Sequence, residues 1–203
     1  MITTTDIIIS ELYPKEIVEV SSLLADSMST NPNHLAIFKS SKPSVVEKQR
    51  KMFEMVLKNP NNKSFTAKMN SQIVGTMTYT TSGHCQLQPF DMVKSMPGFI
   101  NMFGVHLLRV LKWRMNWAKN DYQSRHIHFG PIAVHTAYQG KGIGKTLLKF
   151  FCEYLDRTNQ CGYLEADKEE NIALYEKFDF QIIATDMILG IKNWFMVRKP
   201  TNP

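Results

Sequence analysis

The sequence has few cysteines and no cysteine motif. Its three thiols, Cys85, Cys152 and Cys161, are an odd number, and no two of them stand at C-x-x-C spacing. A disulfide framework or a zinc cluster needs paired or closely spaced cysteines. We therefore expect reduced thiols, at least one of them a small core residue, and this pattern predicts no metal site.

Long apolar runs are also missing. No uninterrupted apolar stretch approaches the ~20 residues that a membrane-spanning helix needs, and the opening "MITTTDIIISELYP" has no basic region followed by an apolar core. The expectation is a cytoplasmic protein without a membrane partner. Low-complexity segments and internal repeats are absent too, and 203 residues suffice for one domain with a full core. We predict a single domain over residues 1–203.

Charge of one sign is not concentrated anywhere. The 24 Lys and Arg outnumber the 18 Asp and Glu, for a formal net charge of +6, yet the basic residues are spread along the chain. A nucleic-acid-binding surface needs them gathered on one face or in one block. A nucleic-acid partner is therefore not expected, and the surplus fits a solvated surface or an anionic cofactor.

Apolar spacing in the first half predicts two helices, a hairpin and an inserted segment. Apolar residues recur at three and four over 14–28 and again in "SVVEKQRKMFEMVLKNP", which predicts two helices. "SFTAKMN" and "QIVGTMTYT" predict an antiparallel hairpin. Residues 82–125 are interrupted by Pro89, Pro97 and Gly98 before the apolar, aromatic run "FINMFGVHLLRVLKWRMNWAKN". They are predicted as an inserted, partly helical segment on the substrate side.

The second half alternates strands and helices. "HIHFGPIAVH" predicts a strand with a bulge near Gly130-Pro131, and an apolar face after Gly144 predicts a helix. "GYLEAD" is predicted as a strand and "NIALYEKF" as a short helix capped by Asn171. "FQIIATDMIL" and "NWFMVRK" complete the chain as two strands. The glycines of "QGKGIGK" therefore stand at a strand-to-helix turn.

This glycine turn predicts an anion site. The first turn of a helix has unpaired N–H groups and a partial positive charge, glycines let the backbone approach a pyrophosphate, and Lys141 and Lys145 add countercharge. Two known phosphate motifs do not fit. A Walker A loop needs glycine where Gln139 stands, and the third glycine of a dinucleotide fingerprint is replaced by Lys145.

The pattern Gln-x-x-Gly-x-Gly is met by Gln139, Gly142 and Gly144, and here the sequence resembles the GCN5-related N-acetyltransferase (GNAT) family. "GPIAV" resembles that family's split fourth strand, and "NIALYEKFDF" its helix beside the coenzyme sulfur. The resemblance is strongest over 126–199, and its closing pattern is similar to the puromycin-type acetyltransferase branch. Asp179 stands where the family usually has glycine, which we expect the left-handed tolerance of Asp to accommodate.

The resemblance implies an α/β fold with a mixed central sheet of about six or seven strands, flanking helices and a splayed fourth strand. It implies acetyl-CoA as co-substrate and a set of cofactor-binding residues. These are Ile132, Ala133, Val134, Gln139, Gly140, Lys141, Gly142, Ile143, Gly144, Lys145 and Asn171.

Acetyl transfer needs an oxyanion donor, an acid for the thiolate and a base for the ammonium. The donor is expected to be a backbone N–H within 132–134. Tyr175 is the candidate acid and Glu165 the candidate base, with a half-buried tyrosine and a strand-end salt bridge as the alternative interpretations. His126 and His128 share a strand face and could relay a proton or bind substrate or a metal.

Further assignments stay open. Trp113 and Trp117, at i and i+4, could wall an acceptor pocket or be buried. The leading hypothesis is an acyltransferase that moves the acetyl group of acetyl-CoA to the primary amine of a small molecule. A protein lysine acetyltransferase and a non-catalytic acyl-CoA-binding regulator are the alternatives, and either a monomer or a homodimer suits the architecture.

Overall fold

The computed structural model describes residues 7–85 and 89–201. The first part of the chain forms a short strand, three helices and a hairpin. Its elements are β1 (Ile8–Glu11), α1 (Ile17–Met28), α2 (Pro32–Phe38), α3 (Pro43–Lys58), β2 (Asn62–Met69) and β3 (Gln72–Thr81). Two helices follow, and then strands and helices alternate before a final hairpin. These elements are α4 (Pro89–Phe103), α5 (Leu107–Asn120), β4 (His126–Val134), α6 (Ile143–Thr158), β5 (Cys161–Ala166), α7 (Glu169–Glu176), β6 (Gln181–Ile188) and β7 (Ile191–Arg198).

The described strands form one seven-stranded sheet in the order β1-β2-β3-β4-β5-β7-β6. Every neighbouring pair is antiparallel except β4 and β5, which are parallel. The β4–β5 pairing covers three residue pairs and stops at His128 and Tyr163. Beyond that point the two strands separate, and the gap opens at their carboxyl ends. The predicted mixed sheet with a splayed fourth strand is confirmed.

The predicted bulge in β4 is also present. Tyr79 pairs with Phe129 and Met77 pairs with Ile132, so Gly130 and Pro131 together face one residue of β3. The extra residue shifts the register of β4 between its two halves. The first half pairs on both sides, whereas the second half pairs with β3 alone.

Helices cover both faces of the sheet and so fix the position of β4. On one face α6 buries Leu147, Leu148, Phe151 and Leu155, and the Phe151 ring stacks on Phe129 with a centroid distance of 4.4 Å. Each fully buried side chain of this size contributes about 1.5–3 kcal/mol of transfer free energy. On the other face α1 and α3 pack together over β3 and β4.

Four local predictions need correction at the level of secondary structure. β1 and α2 were not predicted, because β1 has only four residues and the apolar spacing of α2 is interrupted by the buried polar Asn33 and His34. Pro97 lies inside α4 instead of breaking it. The first predicted helix begins as a 3-10 turn over Pro14–Glu16.

The cap of α7 was also wrong. The helix begins at Glu169 with Lys168 at the N-cap position, so Asn171 lies inside it. The two acidic residues Glu169 and Glu170 occupy the first turn, where the helix dipole favours negative charge. Asp179 adopts a φ of 64° after the helix, as its left-handed tolerance predicted.

Segment 82–125 is helical over α4 and α5, as predicted, and these helices pack against α2, α3 and β6. Within the described parts of the chain, no helix combines the length and the apolar character needed to cross a membrane.

Candidate active site

A cavity of about 410 Å³ opens at the gap between β4 and β5. Its floor is the second half of β4 and the end of β5, and its walls come from α1, α2, α3, α4, α5 and α7. The side chains that bring polar or aromatic chemistry to it are Asn31, Asn33, His34, His84, Cys85, Trp113, Arg114, Trp117, His128, Glu165, Asp167, Asn171 and Tyr175.

The edge of β4 that faces the gap carries free backbone donors. The His135 N–H donates to Val74 O over 2.9 Å, and successive backbone groups of a strand point to opposite sides. The N–H group of Ala133 therefore points towards β3, whereas the N–H groups of Ile132 and Val134 point away from β3, towards the gap. Of the three residues expected to supply an oxyanion donor, only Ile132 and Val134 have an N–H group that points towards the gap.

The glycine turn continues from this edge. Gly140 and Gly142 have φ values of 74° and 82°, and Gly142 is the residue before α6. Side chains rarely adopt this left-handed region, which is the physical reason for glycine at both places. Gln139 Nε2 donates to Val134 O over 3.2 Å and holds the turn against the end of β4.

The start of α6 presents unpaired donors. Thr146 is the first residue of this helix whose N–H group donates a backbone hydrogen bond, to Gly142 O over 2.9 Å. The N–H groups of Ile143, Gly144 and Lys145 precede it and point out of the helix end. The Ile143 side chain is buried, so only its backbone faces outward, while Lys141 and Lys145 are exposed. The Lys141 ammonium lies 4.7 Å from the centre of the Tyr138 ring.

α7 directs Asn171 and Tyr175 to the cavity, as their i, i+4 spacing predicted. Tyr175 is 7% exposed, and its ring contacts Phe180 edge-on. Burial, reinforced by the charge of Asp167, raises the pKa of Tyr175 to about 12. The phenol is therefore protonated throughout the neutral range and can act as a proton donor.

Glu165 and His128 form an ion pair at the point where β4 and β5 part. His128 Nε2 lies 2.7 Å from Glu165 Oε2, and both side chains line the cavity. Burial alone lowers the pKa of His128, but the charge of Glu165 and a contact with Cys85 raise it above its ordinary value. Glu165 Oε1 is buried and has no hydrogen-bond partner within the described part of the chain. Glu165 therefore forms the salt bridge of the alternative interpretation and also lines the cavity.

His126 lies behind this pair and is not part of the cavity wall. The residue is 1% exposed, and its Nε2 lies 3.3 Å from Asp121 Oδ1. Burial lowers the pKa of His126, but its contacts with Asp121, Cys85 and Ser124 O raise it to about 9.

Trp113 and Trp117 contact each other at the cavity wall, with ring centroids 4.3 Å apart and ring planes tilted by 57°. Trp113 is also 9% exposed and packs edge-on against His34. Both indole N–H groups are buried without a hydrogen-bond partner among the described residues. The wall therefore offers two unused donors.

Several cavity residues were missed by sequence reasoning. Asp167 follows Glu165 by two positions and so shares its strand face, a signal present in "YLEAD". Its carboxylate accepts hydrogen bonds from Asn31 Nδ2 (3.0 Å) and the Asn33 N–H (3.4 Å), while burial raises its pKa. Arg114 lies on α5 beside the tryptophans, and no local pattern singled it out.

A mixed sheet that parts between β4 and β5, with a glycine turn before a helix at the end of β4 and a cavity at the gap, defines the class of N-acetyltransferase folds. The family profile described as "Acetyltransferase (GNAT) family" matches residues 33–180. That span is most of the chain, and the protein belongs to the GNAT family.

Solved structures agree on the fold. The chain is similar to the histone acetyltransferase HPA2 and related acetyltransferase from Corynebacterium glutamicum, with a TM-score of 0.76, 16% identity and 98% of each chain covered. It is similar to the Drosophila melanogaster polyamine N-acetyltransferase, which catalyses the formation of N-acetylagmatine, with a TM-score of 0.71, 10% identity and coverage of 96% of this chain and 100% of the other.

The Arabidopsis thaliana NAA60 structure with acetyl-CoA matches at a TM-score of 0.57 and 13% identity, over 95% of this chain and 98% of the other. No curated protein sequence matches the chain significantly.

Proposed function

We propose that the protein transfers the acetyl group of acetyl-CoA directly to the primary amine of a small molecule. The observation that carries this proposal is the cavity of about 410 Å³ at the strand gap, which is lined by the Tyr175 phenol and by Glu165, whose Oε1 has no hydrogen-bond partner among the described residues. A cavity of this size suits a small molecule. GNAT family members use acetyl-CoA, which supplies an activated acetyl thioester.

The chain's own donors fit this co-substrate. The unpaired N–H groups of residues 143–145, together with the open backbone at Gly140 and Gly142, would hold the diphosphate. The gap-facing N–H groups of Ile132 and Val134 would hold the amide arm and the thioester carbonyl. Asn171 would contact the same arm from α7.

Glu165 is proposed as the base for the acceptor. An ammonium with a pKa near ~10 must lose a proton before it can attack a carbonyl carbon. Glu165 lines the cavity, and its Oε1 would accept that proton directly or through water, while His128 fixes the carboxylate through Oε2.

Tyr175 is proposed as the acid. The amine nitrogen attacks the thioester carbon, and the oxyanion of the tetrahedral intermediate would accept a hydrogen bond from a β4 N–H. The C–S bond then breaks while the nitrogen loses its second proton to water, from which the Tyr175 phenolate is afterwards reprotonated. The departing thiolate would then take the phenol proton of Tyr175, which its pKa of about 12 keeps available.

Three observations support a small acceptor. α4 and α5 of segment 82–125 form one wall of the cavity, which favours a small molecule over a lysine in a folded protein. The closing pattern resembles the puromycin-type branch, and the Drosophila melanogaster neighbour is a polyamine N-acetyltransferase. We also propose that residues 1–203 act as one domain in which 82–125 is the substrate-side insertion.

A thiol-release assay over a panel of primary amines tests this function. We expect release above background for at least one small amine, and a large loss of release in the Glu165→Gln and Tyr175→Phe proteins. Acetylation of lysine peptides in preference to every small amine would favour the protein-acetyltransferase alternative. Acetyl-CoA binding without release for any amine or peptide would favour the regulator alternative.

A further inference from the structure

Cys85, His126 and His128 converge beside the cavity. Each offers one ligand atom, and the three atoms all lie within 4.8 Å of one another. The two histidines share a face of β4, and the Ser82 N–H, which donates to His126 O over 2.9 Å, brings the chain before Cys85 alongside this strand. The sequence shows no metal-binding motif for this group, because 40 residues separate Cys85 from His126.

In each histidine one ring nitrogen is held by an oxygen acceptor. His126 Nδ1 lies 2.9 Å from Ser124 O, and His128 Nε2 lies 2.7 Å from Glu165 Oε2. Because a carbonyl or carboxylate oxygen accepts a hydrogen bond, these nitrogens carry an N–H, and a metal ion would take the other nitrogen of each ring by displacing its proton. Metal-binding histidines are oriented in this way by an oxygen on their second nitrogen.

Asp121 completes a set of four. Its Oδ2 lies 3.4 Å from Cys85 Sγ, and its Oδ1 lies 3.3 Å from His126 Nε2. Ordinary Zn–S bonds of about 2.3 Å and Zn–N or Zn–O bonds of about 2.0 Å place tetrahedral ligand atoms about 3.3–3.5 Å apart. The two separations to Asp121 are of this size and run to the two different oxygens of its carboxylate, one of which would bind the ion.

We propose that Cys85, Asp121, His126 and His128 bind one Zn²⁺ ion. A thiolate with two imidazoles selects zinc over magnesium or calcium, which prefer oxygen ligands alone. The thiolate and the carboxylate together balance the charge of the ion, and Glu165 acts on the site through His128.

The position of the site gives it a structural role. Cys85 stands near the start of segment 82–125 and Asp121 near its end, while His126 and His128 belong to the sheet. A shared ion would tie both ends of the inserted helices to β4. It would thereby fix α5, which carries Trp113 and its neighbours into the cavity.

Metal analysis of the full-length protein tests this inference. After chelation, incubation with ZnCl₂ and gel filtration, we expect one zinc per chain in the wild type and in the matched control Cys161→Ser, whose thiol lies outside the group. Cys85→Ser and His126→Asn should retain none. CoCl₂ in place of zinc should give a tetrahedral visible spectrum with a thiolate-to-cobalt band, which Cys85→Ser abolishes.

Circular dichroism and thermal unfolding show whether each variant is folded, and metal content is compared only among folded variants. Chelation should lower the melting temperature of the wild type and leave that of Cys85→Ser unchanged. Wild-type protein that retains no zinc after gel filtration, or Cys85→Ser that retains as much as the wild type, would overturn the assignment and leave a metal-free ion-pair network.

A separate observation concerns Arg114. Its guanidinium lines the cavity, and among residues 7–85 and 89–201 no ion pair or hydrogen bond to it is formed. The side chain is half-buried, and this burial lowers the pKa of Arg114 while the nearby opposite charges of Cys85 and Glu165 raise it. The carboxylates of Glu165 and Asp167 line the same cavity.

Building on the proposed function, we infer that the acceptor carries a carboxylate as well as its amine, as an amino acid does. Arg114 would bind the carboxylate through its planar fork. The ammonium would bind at Glu165, where it is to be deprotonated. A polycationic acceptor would instead bring a second positive charge to Arg114.

Matched acceptor pairs test this inference. Amino acids are compared with the amines that lack only their carboxylate, and we expect kcat/KM to be about 10- to 100-fold higher for the amino acid. Arg114→Gln should remove the preference and Arg114→Lys should keep part of it. If no amine of either kind is acetylated, the proposed function fails. If the decarboxylated amines are equal or better substrates, only this inference fails.

Discussion

The Gly142→Val substitution should affect two quantities differently: the free energy of unfolding, through backbone strain, and the Kd of acetyl-CoA, through the donors of the glycine turn. Gly142 has φ 82° and ψ 0° at the N-cap of α6. A residue with a Cβ pays about 1–2 kcal/mol in this left-handed region, and a β-branched side chain pays more. The backbone of Gly142→Val should therefore move, and the donors of the first turn of α6 should move with it.

The expected effect on binding is larger than the effect on folding. A hydrogen bond to a charged group contributes about 1.5–3 kcal/mol, and every 1.4 kcal/mol is about tenfold in Kd. Misplacing two of the donors from residues 143–145 should weaken acetyl-CoA binding by about 100-fold or more. Calorimetric titration gives the Kd, and urea unfolding gives the free energy of unfolding.

Gly190→Val is the matched control. Gly190 has φ 85° in the turn between β6 and β7, and a Cβ there would meet nothing within 4 Å. It should lose a similar amount of stability and bind acetyl-CoA as the wild type does. If Gly142→Val and Gly190→Val bind equally well, the reasoning that places the diphosphate on the glycine turn is refuted.

Three further predictions concern the acid, the base and the core. Tyr175→Phe should lower kcat by about 10²-fold or more and leave the Kd of acetyl-CoA unchanged, so an unchanged kcat would remove Tyr175 as the acid. In the chelated, metal-free protein the pKa of His128 is raised, so the stability from its ion pair is complete below its ordinary value of about 6.5 and is lost as the pH rises through about 10. Glu165→Gln should consequently cost about 3 kcal/mol near pH 6 and much less above the raised pKa, and a pH-independent cost in urea unfolding would contradict this sign. Gly162→Ala places a Cβ 2.5 Å from Leu155 Cδ1 and should destabilise the domain by about 1–3 kcal/mol without changing the KM for acetyl-CoA.

Local patterns accounted for the elements that we propose to bind acetyl-CoA. The glycine turn, α6 and the strand with its bulge at Gly130 follow from short-range sterics and from apolar period, which act within a few residues. The same holds for α7, where i, i+4 spacing placed Asn171 and Tyr175 on one face even though the cap was assigned to the wrong residue.

Short or irregular elements escaped this reasoning. β1 pairs with β2 across more than 50 residues, so its existence depends on a partner strand and not on its own four residues. α2 is held by buried polar contacts, such as that between Asn33 Nδ2 and Asn193 Oδ1 at 2.7 Å, which period analysis does not detect.

By itself the sequence determined the fold class, the anion-binding turn and the pair Glu165 and Tyr175 as candidates, because each rests on interactions between near neighbours in the chain. Only the tertiary structure decided that Cys85 lies beside His126 and His128, and that α5 brings Arg114 to the same cavity. These contacts join segments far apart in sequence, and the free energy that selects them comes from packing the inserted helices on the sheet, which no local pattern encodes.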